Sequence, residues 1–289
     1  MKEESRRSVA STYYTVMHHE EFQVNWKDFY RQADERSLTT VQAFPHHLDI
    51  PYGKNPKQKL DIILPRGKPS LLPVFLFLHG GGFREGDRCH YAFVAEPLAR
   101  HGIITVLPSY RLTPRFQYPD QVEDVQRSLA WVFREGEVHG IDAQRVFLAG
   151  HSAGSVLAAF VGFQSAWLER ESLPGDLIKG CALMSAPYDL REEQWISEYI
   201  PDPARRAEAS PILQIKRLPP VTIVSVGSLL RPEANMVQAS RDLVDAIREK
   251  GGTVEFVFLE GKHHGETALA LGEEKNPLVQ AILRMILER

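Results

Sequence analysis

Residues 146–159 read VFLAGHSAGSVLAA, and this stretch decides the fold. An apolar run ends at Ala149, a G-x-S-x-G segment occupies Gly150 to Gly154, and an apolar, helix-favouring run follows. That order predicts a strand, a sharp turn and a helix, with Ser152 at the turn. The two glycines allow strand and helix to approach closely, which raises the serine hydroxyl above the sheet. The bare pattern arises by chance in about one chain in ten of this length. The flanking strand and helix are therefore what make Ser152 a candidate nucleophile.

Short runs rich in Val, Ile, Leu and Phe recur along the chain, separated by segments in which apolar residues have helical spacing. Several runs are apolar at nearly every position, as expected for parallel strands that are buried on both faces. The predicted strands lie at 59–64, 73–78, 103–107, 145–149, 180–184, 221–226 and 254–259, with a weaker one at 46–51. Alternating strands and helices predict an α/β fold with an eight-stranded, mostly parallel sheet and helices on both faces.

The organisation of the chain favours one domain. No internal repeat or low-complexity linker divides residues 1–289, so we predict a single domain. Residues 1–45 and 187–219 are polar or broken by proline, and we expect them to cover a site at the strand ends. An edge strand and the last helix are candidate contacts for a homodimer.

The composition narrows the partners and the compartment. The net charge of −3 provides no strong field, so neither nucleic acid nor a membrane surface is expected as a partner. The first residues lack an apolar signal segment, and the longest apolar run, residues 71–78, is much shorter than the roughly 20 residues that span a bilayer. Two cysteines cannot form a disulfide framework. These features together predict a cytoplasmic protein.

A second glycine-rich segment, HGGGF at 79–83, follows the strand predicted at 73–78. The backbone N–H groups of Gly81 and Gly82, with that of Ala153, could bind the oxyanion of a tetrahedral intermediate. The alternatives are a flexible loop and a phosphate cradle, but the spacing fits neither phosphate-binding motif. Phe83 directly follows the glycines and is the candidate substrate-binding residue. Five further aromatic residues could line an acyl or aryl pocket, although each alone is expected to serve packing: Trp26, Phe29, Tyr30, Trp195 and Tyr199.

HGGGF followed about 70 residues later by GHSAG resembles the α/β-hydrolases of the hormone-sensitive-lipase-like and kynurenine-formamidase-like esterase branch. The resemblance runs from about Trp26 to the C-terminus. It implies an α/β-hydrolase fold with a small helical cap, a small-molecule ester substrate and no cofactor. Further matching pieces are YG at 52–53, KLD at 59–61, YRLTP at 110–114 with YP at 118–119 and Asp124, and SAPYDL at 185–190. No metal site is predicted, because the paired histidines at 18–19 and 46–47 are adjacent and point apart.

The catalytic residues of this fold follow the chain order Ser, acid, His. By the family's spacing His264, in the loop after the strand at 254–259, matches the base. The family places an Asp or Glu about four residues past the strand at 221–226, where this chain has Leu230. Glu233 is the only carboxylate of that loop, and we predict that it acts as a displaced acid. A Ser–His dyad or a carboxylate from elsewhere stays open. Such carboxylates are Asp189, Asp202 and Glu266.

Three functions fit these residues. The first is a serine carboxylesterase for small to medium acyl esters, since 187–219 is too short for a large lipase lid. The second is an aryl formamidase, because the stretch at 26–50 looks like the kynurenine-formamidase-like branch. Against it, that branch usually has an aromatic residue after the second glycine of the motif, whereas Gly82 matches the hormone-sensitive-lipase-like form. The third is a non-catalytic binding protein, as in the plant gibberellin receptors, which resemble this branch but lose a triad residue. Leu230 favours the third function, and the presence of Ser152 and His264 opposes it.

Overall fold

The structure is a computed structural model that describes residues 24–67, 71–229 and 236–288. Its strands are β1 His46–Pro51, β2 Lys59–Ile63, β3 Leu72–Leu78, β4 Ile104–Pro108, β5 Ile141–His151, β6 Ile178–Met184, β7 Thr222–Gly227 and β8 Val254–Leu259. They form one sheet in the order β1-β2-β4-β3-β5-β6-β7-β8. β2 runs antiparallel to β1 and β4, and the other neighbours are parallel. The predicted eight-stranded, mostly parallel sheet is confirmed.

Helices cover both faces of this sheet. The α-helices are α1 Trp26–Ala43, α2 Ala95–Arg100, α3 Asp120–Glu135, α4 Ala153–Gly162, α5 Ala166–Arg170, α6 Arg206–Ala209, α7 Met236–Glu249, α8 His264–Leu269 and α9 Pro277–Leu287. Short 3₁₀ helices lie at Arg88–Val94, Gly136–His139, Pro203–Arg205, Pro211–Gln214 and Ala270–Gly272.

The two core layers follow from the alternation of side chains along each strand. On β3, Val74 and Leu76 enter the core shared with α3, α4 and α7. Phe75 and Phe77 enter the opposite core, which α1, α2, α8 and α9 complete. Both faces of the central strands are thus buried, which explains their nearly continuous apolar sequence.

The parallel strands bring the predicted site segments to one edge of the sheet. The HGGGF segment follows β3, Ser152 follows β5, and His264 follows β8. Because parallel strands end at the same edge, these segments meet there. Glu233 and Leu230 follow β7 but lie outside the described residues, as does most of the 1–45 segment before α1. The single-domain boundaries stay a prediction. Within the described residues, no helix has both the length and the apolarity needed to cross a bilayer.

Candidate active site

Ser152 stands in a strained turn between β5 and α4. Its backbone has φ 55° and ψ −125°, in a region that residues other than glycine rarely adopt. The turn is held by the Ser152 N–H, which donates to the carbonyl of Met184 on β6 at 2.9 Å. The strand–turn–helix geometry expected from G-x-S-x-G is therefore present, and the hydroxyl lies at the carboxyl edge of the sheet.

The two glycines of the turn are required by close backbone contacts. A Cβ on Gly154 would lie 2.3 Å from the carbonyl oxygen of Leu78 and 2.4 Å from that of His79. A Cβ on Gly150 would lie 2.2 Å from the carbonyl oxygen of Gly154. Backbone atoms cannot move aside as a flexible side chain can, so neither position accepts a side chain without displacing α4 from the sheet.

We expect Gly154→Ala to lower the free energy of unfolding by about 3 kcal/mol, because the added methyl group meets two fixed carbonyls of the β3 end. Urea denaturation of the purified variant measures this. Gly175→Ala is the matched control, since no atom lies within 4 Å of its added Cβ. We expect it to change the free energy of unfolding by no more than about 0.5 kcal/mol. Equal stability of the two variants would contradict the packing described for Gly154.

His264 is in position to act as the base of Ser152. Its Nε2 lies 2.9 Å from the Ser152 Oγ, although the two residues are 112 positions apart in the chain. Only 5% of the His264 surface is exposed. This is the distance at which a general base can take a serine proton.

A capping box holds the start of α8, where His264 is the first helical residue. The His263 N–H donates to the Glu266 carboxylate at 2.9 Å, and the Glu266 N–H donates to Nδ1 of His263 at 3.3 Å. These paired bonds satisfy N–H groups that a helix start leaves open. They therefore fix the backbone from which the His264 imidazole projects.

His151 and Thr267 hold the base from its carbonyl side. The His264 carbonyl accepts a bond from the Thr267 hydroxyl at 2.7 Å and one from Nε2 of His151 at 3.0 Å. A carbonyl accepts only, so His151 carries its proton on Nε2. Burial lowers the pKa of His151 to about 4, which keeps its ring neutral near pH 7. Its ring centroid lies 4.7 Å from that of His264.

The electrostatic surroundings favour a neutral His264. Burial lowers its pKa well below the usual 6.5, and the neighbouring imidazoles of His151 and His263 lower it further. The charged imidazolium is disfavoured in an apolar site and beside other groups that can carry positive charge. The resting ring can therefore accept the proton of Ser152 near neutral pH.

The HGGGF loop lies directly against the serine turn. A Cβ on Gly80 would lie 3.2 Å from the Cβ of Ser152. Gly81 has φ 117° and Gly82 has φ 59°, and a Cβ on Gly81 would meet the Glu85 carbonyl oxygen at 2.2 Å. The loop is fixed from behind, because the Gly81 carbonyl accepts the N–H groups of Arg84 and Glu85 at 3.0 and 2.9 Å.

The predicted oxyanion donors thus come from two neighbouring segments. Gly81 and Gly82 belong to the fixed glycine loop, and Ala153 is the first residue of α4, where backbone N–H groups have no partner within the helix. The helix dipole also favours negative charge at this end. The oxyanion role of the three N–H groups stays a prediction at this point.

Phe83 is packed rather than open to the site. Its side chain is fully buried and stacks on Tyr199, with ring centroids 3.8 Å apart, and on Trp195 at 5.9 Å. Both partners belong to the 187–219 segment, which therefore contacts the glycine loop. Of these three rings only Trp195 is substantially exposed, at 37%. Contact between Phe83 and a substrate stays a prediction.

The other candidate acids bond to groups other than the His264 imidazole among the described residues. Asp189 pairs with Arg191 at 2.6 Å, and Asp202 accepts the N–H of Ala204 at 3.0 Å. Glu266 belongs to the capping box. Glu233 lies outside the described residues, so its part in the triad is a proposal.

The structure also places near His264 one of the candidate pocket aromatics, Trp26, and two residues that the sequence analysis did not assign to the site. The half-buried Trp26 of α1 sets its ring centroid 6.0 Å from that of His264, at an interplanar angle of 79°. His151 and Thr267 anchor the base. The pattern His263-x-x-Glu266 was a readable signal of a capping box, whereas nothing in the sequence singled out Trp26 for this contact.

Comparisons with known proteins identify the family to which the fold belongs. A family model described as alpha/beta hydrolase fold matches residues 75–268. The chain is 27% identical over 265 residues to the kynurenine formamidase of Danio rerio, covering 89% of this chain and 86% of that protein. It is 26% identical over 271 residues to Esterase LipC of Mycobacterium tuberculosis, covering 83% and 64%. The solved structure of Esterase B from Lactobacillus rhamnosis matches with a TM-score of 0.74 and 19% identity, covering 99% and 94%.

Proposed function

Because this chain is a hydrolase that belongs to the α/β-hydrolase family, we propose that it cleaves small to medium carboxylic esters through an acyl-enzyme on Ser152. The observation that carries the proposal is the 2.9 Å contact between His264 Nε2 and Ser152 Oγ. The contact lies beside the glycine loop that could bind an oxyanion. A nucleophile, its base and oxyanion donors at one place are what acyl transfer requires.

In the acylation step the Ser152 oxygen bonds to the ester carbonyl carbon while His264 Nε2 takes the serine proton. The N–H groups of Gly81, Gly82 and Ala153 bind the negative oxygen of the tetrahedral intermediate. The intermediate collapses, the bond to the alcohol oxygen breaks, and His264 gives its proton to that oxygen. In deacylation, His264 takes a proton from a water molecule whose oxygen bonds to the acyl carbon. The bond from that carbon to the Ser152 oxygen then breaks, His264 returns the proton to the serine oxygen, and the carboxylic acid leaves.

Glu233 is proposed as the acid that orients His264 and stabilises the imidazolium. It is the only carboxylate between Gly227 and Met236, and the other candidates are engaged elsewhere. Leu230, at the position where the family has its acid, cannot accept a hydrogen bond from an imidazole. A displaced acid three residues further on would supply a carboxylate from the same loop.

The proposed preference for a short acyl group rests on the position of Trp195 beside the glycine loop. The Cζ3 atom of Trp195 lies 3.9 Å from where a Cβ on Gly82 would stand. The indole therefore narrows the space beside the oxyanion donors. Phe83 lies beneath it as packing support, so we propose that Trp195 contacts the acyl group and that Phe83 holds Trp195 in place.

Aryl formamide hydrolysis is the second candidate. It is supported by the likeness to the Danio rerio kynurenine formamidase, which extends over most of both chains. The chemistry is the same, with a formyl group as the acyl part and an arylamine as the leaving group. His264 would protonate the amine nitrogen as the carbon–nitrogen bond breaks.

Hydrolysis of p-nitrophenyl acetate, butyrate and octanoate, compared with hydrolysis of N-formylkynurenine, tests the proposal. We expect turnover of the acetate and butyrate and a kcat/KM for the octanoate that is lower by about tenfold or more, because the longer chain meets the Trp195 wall. A kcat/KM for the formamide that exceeds every ester would move the second candidate to first place. Absence of all hydrolysis and of labelling by an organophosphonate would instead favour the binding-protein alternative.

A cytoplasmic location and a homodimer also remain proposals. The location is supported by Cys89 and Cys181, which are both free thiols in the structure. The dimer would use an edge strand of the sheet, β1 or β8, or the last helix, α9, as expected from the sequence.

A further inference from the structure

Helix α1 reaches both halves of the candidate site. A Cβ on Gly265, next to the base, would lie 3.2 Å from Phe29 Cδ2 and 3.2 Å from Val24 Cγ1, so this turn is packed against α1 and the residues before it. On the other side, burial raises the pKa of Glu85, which follows the glycine loop and bonds to it through its N–H, and a hydrogen bond from Tyr30 of α1 partly offsets the rise. Helix α1 is therefore part of the structure that supports both the base and the oxyanion loop.

Trp26 is the residue of α1 that stands beside the catalytic imidazole. Its ring meets the His264 ring edge to face, with centroids 6.0 Å apart, and it packs on Phe29 with centroids 5.6 Å apart. His151, another neighbour of the His264 ring, is 2% exposed. Trp26 differs from His151 in being only half-buried, so part of the indole surface is exposed and could contact a ligand.

The chemistry places the leaving group on the side of His264. Because His264 protonates the departing atom, that atom must come within hydrogen-bond distance of Nε2. The groups attached to it then lie beside the imidazole, whereas the carbonyl oxygen lies at Gly81 and Gly82. Trp195 lies next to Gly82, one of the predicted oxyanion donors, whereas Trp26 lies beside the His264 ring.

We propose that Trp26 is a specificity-determining residue that forms the wall of the leaving-group subsite and favours an aromatic leaving group. The proposal rests on the proposed function, and it holds for a phenol leaving from an ester as for an arylamine leaving from a formamide. An indole binds a flat aromatic ring more strongly than a short alkyl chain, because the ring offers more contact area and can stack or meet the indole edge to face. The preference acts before the acyl-enzyme forms, because the leaving group has departed afterwards.

Phenyl acetate and ethyl acetate test this proposal, since both give the same acetyl-enzyme. We expect Trp26→Leu to lower kcat/KM by about tenfold for phenyl acetate and by less than about twofold for ethyl acetate. The decay of the acetyl-enzyme in a quenched single-turnover experiment should be unchanged, because no leaving group is present in that step. Trp26→Phe should retain most of the phenyl acetate activity.

Trp131→Leu is the matched control, because Trp131 packs on His139 near the end of α3 and has no contact with His264 among the described residues. It should leave both esters unchanged. Equal losses on the two esters together with slower decay of the acetyl-enzyme would overturn the proposal, since Trp26 would then act only by positioning His264. Unchanged kinetics in Trp26→Leu would overturn it as well. If the wild-type protein cleaves neither ester and resists phosphonate labelling, the proposed function itself is wrong, and the Trp26 proposal that rests on it is wrong too.

Discussion

Ser152→Ala is expected to lower kcat/KM for p-nitrophenyl butyrate by about 10⁴-fold or more. In the proposed mechanism the Ser152 oxygen forms the covalent bond, so its removal leaves only binding and the oxyanion donors to act on the ester. The substitution should leave the fold intact, because alanine keeps the small Cβ at the strained turn. Steady-state hydrolysis and thermal unfolding of the same preparation measure both quantities.

Ser165→Ala provides the control for this experiment. Ser165 precedes α5, and its side chain makes no capping hydrogen bond to that helix, so the variant should hydrolyse the ester at the wild-type rate. Stoichiometric labelling by an organophosphonate should be lost in Ser152→Ala and kept in Ser165→Ala. Substantial residual hydrolysis by Ser152→Ala would show that another group performs the reaction, and the acyl-enzyme proposal would then be wrong.

Glu233→Ala and Glu233→Gln are expected to lower kcat by about 10² to 10⁴-fold. Removing the acid deprives His264 of the partner that selects its tautomer and stabilises its charged form, and losses up to this size follow in other serine hydrolases. Burial alone already disfavours the imidazolium of His264. A nearby carboxylate would offset this cost when the ring takes the proton. The kcat of each variant with p-nitrophenyl butyrate gives the result.

The competing carboxylates supply the controls. Asp189→Asn and Asp202→Asn should keep kcat near the wild-type value, because these side chains bond to Arg191 and to the N–H of Ala204. Glu266→Gln should also stay close, since glutamine can complete the same capping box. If one of these variants loses activity while the Glu233 variants do not, the acid is that residue. If none loses activity, the site is a Ser–His dyad.

The parts of the site that could be predicted from sequence are those where close backbone contacts or positive φ angles require glycine. Gly150 and Gly154 are needed where strand and helix touch, and Gly81 and Gly82 adopt positive φ in a loop with no room for side chains. Such demands restrict residue type so strongly that the motif can be read directly. The strand runs were readable for a similar reason, because burial on both faces requires apolar residues at consecutive positions.

The placement of α1 could not be predicted in this way. Trp26, Phe29 and Tyr30 have the spacing of an ordinary buried helix face, and that pattern is the same whether the face meets the core or the imidazole of His264. Only the packed structure shows Phe29 in the core and Trp26 at His264. The packing of Phe83 was likewise not readable from its position after the glycines, since only the structure shows its ring stacked on Tyr199.

The sequence by itself therefore determined the fold class, the nucleophile turn and the glycine loop, because each is a local pattern enforced by backbone geometry or by burial. Tertiary structure alone decided that His264 reaches Ser152 across 112 positions, that His151 and Thr267 hold its carbonyl, and that Trp26 stands beside its ring. These contacts join residues far apart in the chain. Their distances depend on how the sheet and its helices pack, a property that no local stretch of sequence carries.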